Sequence, residues 1–411
     1  MQLDPNHHPW LASKATERIF DALPPGSTRF VGGCVRNAVI GAPVSDLDLA
    51  TTETPDKVAK ALKSAGIAVH ETGLAHGTLT AVCDHTVYEI TTLRQDVSTD
   101  GRRATVAFTT DWQLDAQRRD FTINALYATK DGEILAPTGQ GLDDIKARRI
   151  RFVGRAENRI KEDYLRILRY FRFYAWYGAG KPMDKAALSA CRTLKSGLKT
   201  LSSERIWAET KKLLAAPRPE RTINTMLLGG ILELLLPEAS NAEGLQLLCS
   251  LEQEQGLDID PYLRLMAMAA RDEMGIARMC RRLKMSNAEK ARLMNWARDR
   301  SVLHPDLEDR LLYVEIYKAG RQTAMDRALI RAAGSNGDER QGWVRIYTLA
   351  RDWQWPEFPL TGQDLIKAGI ESGPQLGKTL EALRALWMRS GFKTDRQALL
   401  AALSLLGRGG A

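Results

Sequence analysis

Two aspartates lie two residues apart in the segment from Ser45 to Leu49. Side chains of a β-strand alternate between its two faces, so this spacing predicts Asp46 and Asp48 on one face and leucines on the other. Two neighbouring carboxylates repel each other unless a cation lies between them. Such oxygen ligands suit Mg2+, which proteins bind through one or two carboxylates together with substrate phosphates. Taken alone, the pair also fits a solvated strand face with two unrelated aspartates.

A glycine pair lies upstream, within the segment from Phe30 to Arg36. The pattern is typical of a strand that ends in two glycines and turns into a helix. Glycines let the backbone approach a phosphate closely, and the helix N-terminus adds N–H donors and the positive end of the helix dipole. Gly32, Gly33 and Arg36 are therefore candidate phosphate contacts, although a plain strand-to-helix connection also explains the glycines.

A third carboxylate, Glu89, lies in the predicted strand from Tyr88 to Arg94. It completes a metal site if this strand lies beside the first, and is otherwise a surface glutamate. Two metal ions at such a site activate a 3′-hydroxyl and stabilise a leaving pyrophosphate, without a side-chain nucleophile. The sequence offers no Ser-His-Asp or Cys-His spacing, and its six histidines are dispersed. Glu89 therefore joins the two aspartates as a candidate catalytic residue.

A basic cluster, Arg118-Arg119-Asp120, precedes an apolar run. It suits contacts to phosphate and ribose, but also a salt-bridge group at a helix end. The net charge of +8 and the pI of about 9.2 favour a polyanionic partner, although a basic enzyme without one also fits.

The segment from Glu162 to Trp176 has helical spacing. Residues 146 to 172 hold ten Lys or Arg against three acids, so the positive charge is concentrated here. A structural salt-bridge ladder is the alternative to a nucleotide-binding face. The polar stripe consists of four residues spaced three apart, Asp163, Arg166, Arg169 and Arg172.

The secondary structure that must position these residues differs between the two parts of the chain, with predicted strands in the first part and predicted helices in the second. With 411 residues, the chain exceeds the size of a single core, so we expect at least two domains. Helical spacing dominates after about residue 155, with breaks at Pro217 and Pro219, Gly256 to Pro261, Gly334 to Gly337 and Trp355 to Pro359. Before that point, strand signals cover Arg29 to Gly33, Leu47 to Thr51, Ile67 to Glu71, Thr78 to Val82 and Val87 to Arg94, with a helix predicted from Thr54 to Ser64.

Composition narrows the class of protein. The five cysteines are scattered without a Cys-x-x-Cys pair, which argues against a disulfide framework and a structural zinc site and favours a reducing compartment. The N-terminus lacks the features of a signal peptide, and no run of about 18 apolar residues occurs. We therefore expect a cytoplasmic protein with no membrane partner and no obligate protein partner.

Six motifs follow one another in chain order: Gly32-Gly33-x-Val-Arg36, Asp46-x-Asp48, Tyr-Glu89-Ile-Thr-Thr-x-Arg94, Asp100-Gly-Arg102-Arg103, Arg118-Arg119-Asp120-Phe-Thr-Ile-Asn-Ala, and Glu162-Asp163-x-Leu-Arg166-x-x-Arg169-x-x-Arg172-Phe. In this order they resemble the class II tRNA nucleotidyltransferase and bacterial poly(A) polymerase family. The resemblance is dense over residues 29 to 178 and looser from Leu201 to Glu238. One departure is Asn37, where the family usually has Asp and where a neutral amide cannot act as a charge partner.

The resemblance implies an α+β fold, with a polymerase-β-like nucleotidyltransferase head followed by an all-α neck, body and tail. The expected bounds are 1–145 for the catalytic head, 146–215 for the neck that recognises the base, 216–340 for the body and 341–411 for the tail. Body and tail are expected to bind tRNA at its 3′ end and its acceptor and T arms. CTP and ATP are the implied nucleotides, Mg2+ the implied cofactor, and Asp96 to Arg103 matches the flexible loop associated with switching from C to A.

Motif position also implies a role for each site residue. Asp163 and Arg166 look like the base-reading pair, because a carboxylate accepts from the amino group that C and A share while Arg donates to the adjacent ring nitrogen. The remaining implied roles are metal ligands for Asp46 and Asp48, triphosphate contacts for Gly32, Gly33 and Arg36, sugar-phosphate contacts for Arg119 and Asp120, and support of the helix and phosphates for Arg169 and Arg172.

The function implied first is template-independent addition of C, C and A to tRNA 3′ ends. Poly(A) polymerase shares the whole head, so the motifs separate the two activities poorly. We expect CCA addition because the chain ends at Leu406 to Ala411 without a long basic tail that would grip RNA indiscriminately. Addition of CC alone or of A alone stays open. A catalytically silent RNA-binding module is disfavoured by the intact Asp46, Asp48, Asp163 and Arg166.

Overall fold

The computed structural model describes residues 1–73, 77–100, 103–178 and 180–406. The last five residues of the predicted tail end therefore lie outside the described residues. The chain divides into two compact units, Met1–Pro237 and Glu238–Ala411. The four domain bounds expected from the sequence stay predictions.

The first unit is built on a mixed sheet. Within the described residues its strand order is β3-β4-β5-β2-β1-β8-β9, and β6 and β7 form a separate hairpin. The strands are β1 Thr28–Val31, β2 Leu47–Thr51, β3 Ala68–Gly73, β4 Thr78–Cys83, β5 Thr86–Thr92, β6 Arg94–Asp100, β7 Arg103–Phe108, β8 Tyr127–Ala128 and β9 Ile134–Leu135.

The pairing of β2 with β5 is the part of the sheet that matters for the site. The two strands are parallel, and Asp48 is the register partner of Glu89. Leu47 and Leu49 are buried while Asp48 is only partly so, which confirms the predicted alternation. The sequence could not show this pairing, because β3 and β4 intervene along the chain.

Helices surround this sheet and fill the second unit, and the predicted breaks between helices are confirmed. The α3 helix has Thr54 at its N-cap and Pro55 in its first turn, as the sequence predicts. The helices of the first unit are α1 Lys14–Asp21, α2 Gly33–Ile40, α3 Pro55–Ser64, α4 Trp112–Gln117, α5 Gly141–Lys146, α6 Ala156–Glu162, α7 Leu165–Tyr177, α8 Lys185–Thr193, α9 Ser203–Leu214, α10 Glu220–Leu228 and α11 Leu232–Leu235.

The second unit is helical throughout the part that the structure describes. Its core includes Leu248, Leu312, Ile316, Ala328 and Ile346, which are fully buried. Among the described residues, no helix combines the length and the apolar character that crossing a membrane requires. The helices are α12 Ala242–Gln255, α13 Pro261–Met268, α14 Glu273–Arg282, α15 Asn287–Arg298, α16 Asp309–Ala319, α17 Arg321–Gly334, α18 Gly337–Asp352, α19 Gly362–Lys367, α20 Pro374–Arg389 and α21 Arg396–Leu406.

The prediction of one helix from Glu162 to Trp176 is wrong about where the helix begins. The α6 helix ends at Glu162, Asp163 is extended with φ −154° and ψ 108°, and α7 begins at Leu165. The Asp163 carboxylate accepts a hydrogen bond of 3.1 Å from the Leu165 N–H. Asp offers the backbone this local alternative to a helical bond, so the chain breaks where the 3.6-residue pattern continues.

The segment from Asp96 to Arg103, predicted as a flexible loop, falls in the hairpin of β6 and β7. The two strands pair from Arg94 opposite Phe108 to Asp100 opposite Arg103. Gly101 and Arg102, and the side chains from 96 to 106, lie outside the described residues. The proposed part of this segment in nucleotide switching therefore stays a prediction.

An aromatic core fixes α7 against Phe121, which follows the basic cluster, and against Phe152. The Phe121 ring lies 4.9 Å from Phe152 and 5.1 Å from Phe173, measured between centroids. The Phe152 ring stacks on Tyr170 at 5.6 Å. Burial of such large rings dominates core energetics, so α7 is held firmly beside residues 118–124.

Candidate active site

Gly32 forms the turn between β1 and α2. Its φ of 73° and ψ of −116° fall in a region that L side chains rarely adopt, so this turn requires glycine. A Cβ atom at this position would lie 3.7 Å from Nη1 of Arg119. The turn therefore brings open backbone beside the arginine that the sequence predicts as a phosphate contact.

The carboxylate pair follows on β2. Asp46 is exposed just before the strand, and Asp48 is partly buried within it. Burial, reinforced by the negative charges of Glu89 and Asp46, raises the pKa of Asp48 to about 6, although Arg119 and Arg36 oppose the shift. Within the described residues, neither aspartate side chain has a hydrogen-bond or ion-pair partner. Their negative charge is uncompensated by contact, which suits binding of a cation.

The donor set fits a hard divalent cation, because carboxylate oxygens are the ligands that Mg2+ prefers. Glu89 lies on the adjacent strand, as the sequence suggested, and its side chain is exposed. Among the residues that the structure describes, however, no three His, Cys, Asp or Glu side chains are gathered closely enough to hold a metal. A direct metal contact by Glu89 therefore stays a prediction.

Arg36 is 8% exposed and faces neutral acceptors. It donates to the Asn124 side-chain oxygen at 2.5 Å, to the Asn37 side-chain oxygen at 2.9 Å and to the Tyr177 hydroxyl at 2.8 Å. Its guanidinium also lies over the Tyr177 ring, 4.3 Å from the centroid. Burial lowers the pKa of Arg36. Asn37, the residue that departs from the family pattern, thus holds Arg36 in place without neutralising it.

Asp115 was not predicted as a site residue, yet its carboxylate binds the arginines of the basic cluster. Its carboxylate is 1% exposed and accepts from Arg118 Nε at 2.8 Å, Arg119 Nη2 at 2.9 Å and the Tyr127 hydroxyl at 2.6 Å. Burial alone would raise its pKa, but the charges of Arg119 and Arg118 hold the pKa of Asp115 at about 2. Its position three and four residues before the arginines was the available signal, since helical neighbours have this spacing.

Asp120 joins the basic cluster to α7. One carboxylate oxygen accepts from Arg169 Nε at 2.7 Å, and the other accepts from the Asn124 side chain at 3.0 Å. Burial would raise its pKa, yet the charge of Arg169 holds the pKa of Asp120 below its usual value. Glu209 of α9, also missed from the sequence, accepts from Arg172 at 2.6 Å. Arg169 and Arg172 are therefore both anchored by carboxylates.

The predicted base-reading residues do not pair with each other. Asp163 accepts from Arg205 at 2.6 Å, and Arg166 donates to Glu162 at 2.5 Å and to the backbone oxygens of Arg159 and Arg118. Both side chains are partly buried. Arg205 was visible only as part of the looser resemblance, because its partner lies 42 residues earlier.

Three regions of the sequence match known families. Residues 28–151 match the Poly A polymerase head domain, 182–243 match a probable RNA and SrmB-binding site of polymerase A, and 260–403 match a putative tRNA nucleotidyltransferase domain 2. CCA tRNA nucleotidyltransferase 1, mitochondrial, of Danio rerio is 35% identical over 382 residues, covering 92% of this chain and 86% of the relative. This chain belongs to the tRNA nucleotidyltransferase family.

Other members of the tRNA nucleotidyltransferase family are similar over comparable lengths. The Homo sapiens CCA tRNA nucleotidyltransferase 1, mitochondrial, is 36% identical and covers 90% of this chain and 85% of its own length. The fold matches that of the Bacillus stearothermophilus CCA-adding enzyme in complex with CTP, with a TM-score of 0.76, 24% identity and coverage of 99% and 98% of the two chains. Nucleotidyltransferases of this family use divalent metal ions.

The contacts of Asp115 lead to a prediction for nucleotide binding. Asp115→Asn removes the charge that orients Arg119, so we expect kcat/KM for CTP to fall about 10- to 100-fold, since hydrogen bonds to charged groups contribute about 1.5–3 kcal/mol. The KM for tRNA should change less than twofold. Steady-state kinetics with each substrate varied in turn measure both effects.

Asp144→Asn is the matched control for this substitution. Asp144 is also 1% exposed and is paired with Arg151 at 2.8 Å, but it contacts none of the candidate phosphate-binding arginines. If both variants lowered kcat/KM for CTP equally, Asp115 would be a structural residue only.

Proposed function

We propose that this chain adds C, C and A in turn to the 3′ end of tRNA. CTP and ATP supply the nucleotides, no nucleic-acid template is used, and pyrophosphate is released. One observation carries the proposal: the partly buried Asp48 has Glu89 as its register partner, and the Gly32 turn at the end of the neighbouring strand β1 lies beside Arg119. Positive groups for a triphosphate and carboxylates for a cation are thus concentrated beside the central strands β1, β2 and β5 of the sheet.

Asp46 and Asp48 would hold the metal, and we propose Mg2+ because both ligands are hard oxygens, one on strand β2 and the other directly before it. When bound, Mg2+ supplies the positive charge that activates the 3′-hydroxyl and stabilises the leaving pyrophosphate. Gly32 leaves room for the triphosphate to approach the backbone, and Arg36 and Arg119 bind its oxygens. Arg119 is pre-oriented by Asp115, so little reorganisation opposes binding.

Arg119 and Asp120 are assigned to the sugar-phosphate end of the nucleotide, and Arg169 to the support of the helix and the phosphates. Because Asp120 and Arg169 are hydrogen-bonded to each other, their main contribution is to keep the α7 helix at a fixed distance from the basic cluster. Arg172 acts in the same way through Glu209. The resulting frame orients a nucleotide between the triphosphate contacts and the base-reading pair.

Selection of C and A over U and G is assigned to Asp163 and Arg166. Arg166 uses three of its donors on protein acceptors, and a guanidinium has five. Asp163 keeps acceptor capacity beside its bond to Arg205, since each carboxylate oxygen has two lone pairs. Both residues can therefore bind a base edge without giving up the contacts that fix them.

Poly(A) polymerase is the alternative, because it shares the motifs of the head. The similarity of this chain to relatives named CCA tRNA nucleotidyltransferase over 90% or more of its length favours CCA addition. A CC-only or A-only activity is a narrower variant of the same proposal. The expected cytoplasmic location stays a prediction, since these relatives carry the word mitochondrial in their names.

Incubation of the protein with tRNA that lacks its last three nucleotides tests the function directly. CTP alone should extend the tRNA by two residues, and CTP with ATP by three, as resolved on a sequencing gel. A long A tract with ATP alone would indicate poly(A) polymerase. Failure to incorporate C would refute the proposal.

Asp46→Ala should lower nucleotide incorporation by about 1,000-fold or more, because the several kcal/mol that a metal supplies are lost. Mn2+ binding in the presence of CTP, followed by electron paramagnetic resonance, should weaken in parallel, while the Kd for tRNA stays within about threefold. Asp56→Ala, an exposed aspartate in the first turn of α3, serves as control. Undiminished turnover of Asp46→Ala would exclude the metal role.

Asp163→Ala should relax the choice of nucleotide. The preference for CTP over UTP should fall about 10- to 100-fold, because the hydrogen bonds of a charged group to the base edge are lost. Arg205→Gln should shift the preference in the same direction but less, since it frees the Asp163 side chain without removing it. If UTP and GTP were rejected by Asp163→Ala as strictly as by the unchanged chain, base reading would lie elsewhere.

A further inference from the structure

The second unit contains a pocket of about 490 Å3 that the proposed reaction does not use. We call it the aromatic pocket and define it by Arg310, Tyr313, Trp353, Phe392 and Lys393, which line it. Its size is within the range of pockets that accept small organic ligands. These residues come from α16, from the end of α18 and from the turn that follows α20, so the pocket is formed by tertiary packing.

Three rings give the aromatic pocket flat apolar walls. The Trp353 ring lies 4.8 Å from Tyr313 and 5.2 Å from Phe392. All three side chains are only partly buried, so part of each ring remains accessible. Within the described residues, neither the Trp353 Nε1–H nor the Tyr313 hydroxyl has a hydrogen-bond partner. The walls therefore combine aromatic faces with two free polar groups.

The rim of the pocket is positively charged. Arg310 and Lys393 are exposed, and in the described part of the chain neither is paired with a carboxylate. Asp309, which also lines the pocket, is instead paired with Arg345. Arg310 donates to the Arg389 carbonyl, which leaves further N–H donors on its guanidinium. Two cations without a carboxylate partner beside aromatic walls match a ligand that has a planar ring and negative charge.

The backbone at Phe392 is unusual for so bulky a residue. Its φ is +65°, in the left-handed region, directly after Gly391 with φ +71°. Such a conformation is an outlier for an aromatic residue, and backbone strain of this kind is enriched at ligand-binding sites. The N–H of Phe392 donates to the Trp387 carbonyl at 3.0 Å, so the end of α20 holds the strained residue in place.

We propose that the aromatic pocket binds one unpaired nucleobase of the RNA substrate, with the flanking phosphates at Arg310 and Lys393. A base stacks on the Phe392 ring, and the indole N–H of Trp353, whose ring is inclined at 62° to that of Phe392, and the Tyr313 hydroxyl contact the edge of the base. RNA is recognised in this way where bases leave a helix, because every base has a face that stacks on aromatic side chains. The inference rests on the proposed function in that tRNA is taken as the RNA.

Binding of tRNA to the full chain, measured over a series of salt concentrations, tests the proposal. The double variant Arg310→Gln/Lys393→Gln should bind about tenfold more weakly at about 0.1 M salt. Its slope of log K against log salt should be shallower by about 1.4–1.8, because each lost phosphate contact removes about 0.7–0.9. Lys378→Gln, an exposed lysine on α20 outside the pocket, should leave affinity and slope unchanged.

Removal of the ring separates stacking from charge. Phe392→Gly relieves the left-handed backbone and should weaken tRNA binding about five- to 100-fold with an unchanged salt slope. Because Phe392 also packs on Trp387 at 4.9 Å, Phe392→Leu is a second variant that keeps apolar volume but lacks an aromatic face. Circular dichroism melting identifies which variants are folded.

Two results would overturn the inference. Folded Phe392 variants with unchanged affinity would show that the rings serve packing only, and an unchanged salt slope in the double variant would show that the cations do not contact phosphate. In either case CCA addition by the unchanged chain can persist, so the proposed function survives. If the unchanged chain did not add CCA, the proposed function would be refuted. The binding measurements would still test whether the aromatic pocket contacts tRNA.

Discussion

The ion pair between the buried Asp120 and the partly buried Arg169 links the basic cluster to α7 within the first unit. A buried charge without its partner is strongly destabilising, so each residue fixes the position of the other. The contact of Phe121 with Phe173 holds the same two segments together from the apolar side, and the Phe152 ring packs between Phe121 and Tyr170. The distance between the triphosphate contacts and the base-reading pair depends on this junction, and nucleotide selection requires that distance to be constant.

Charge balance explains how so many arginines coexist near the site. Arg118 and Arg119 share Asp115, Arg172 is paired with Glu209, and Arg36 is held by neutral groups. These contacts orient the guanidinium groups before any nucleotide binds, which lowers the cost of reorganisation. Asp48 is the opposite case, because burial and the negative charges of Glu89 and Asp46 raise its pKa against the opposing charges of Arg119 and Arg36. A triphosphate with a divalent cation would bind both groups at once, the phosphates at the arginines and the cation at Asp48.

Much of this arrangement could be predicted from the sequence, because local patterns determine it. Alternation along β2 gave the faces of Asp48 and Leu49, and the glycine pair gave the turn at Gly32. The break at Asp163 was missed, since its side chain competes with a helical hydrogen bond in a segment whose apolar period continues. Partners such as Glu209 were also missed, because they come from distant segments and only the folded chain brings them together. The aromatic pocket could not be predicted for the same reason, because its residues also come from distant segments.

The most direct measurement is a crystal structure of the chain with CTP and Mn2+, since the anomalous scattering of manganese locates the metal. The account predicts a metal at roughly 2.1 Å from carboxylate oxygens of Asp46 and Asp48. It also predicts the triphosphate beside Gly32, Arg36 and Arg119. A metal bound away from both aspartates, or a triphosphate out of reach of both arginines, would contradict it.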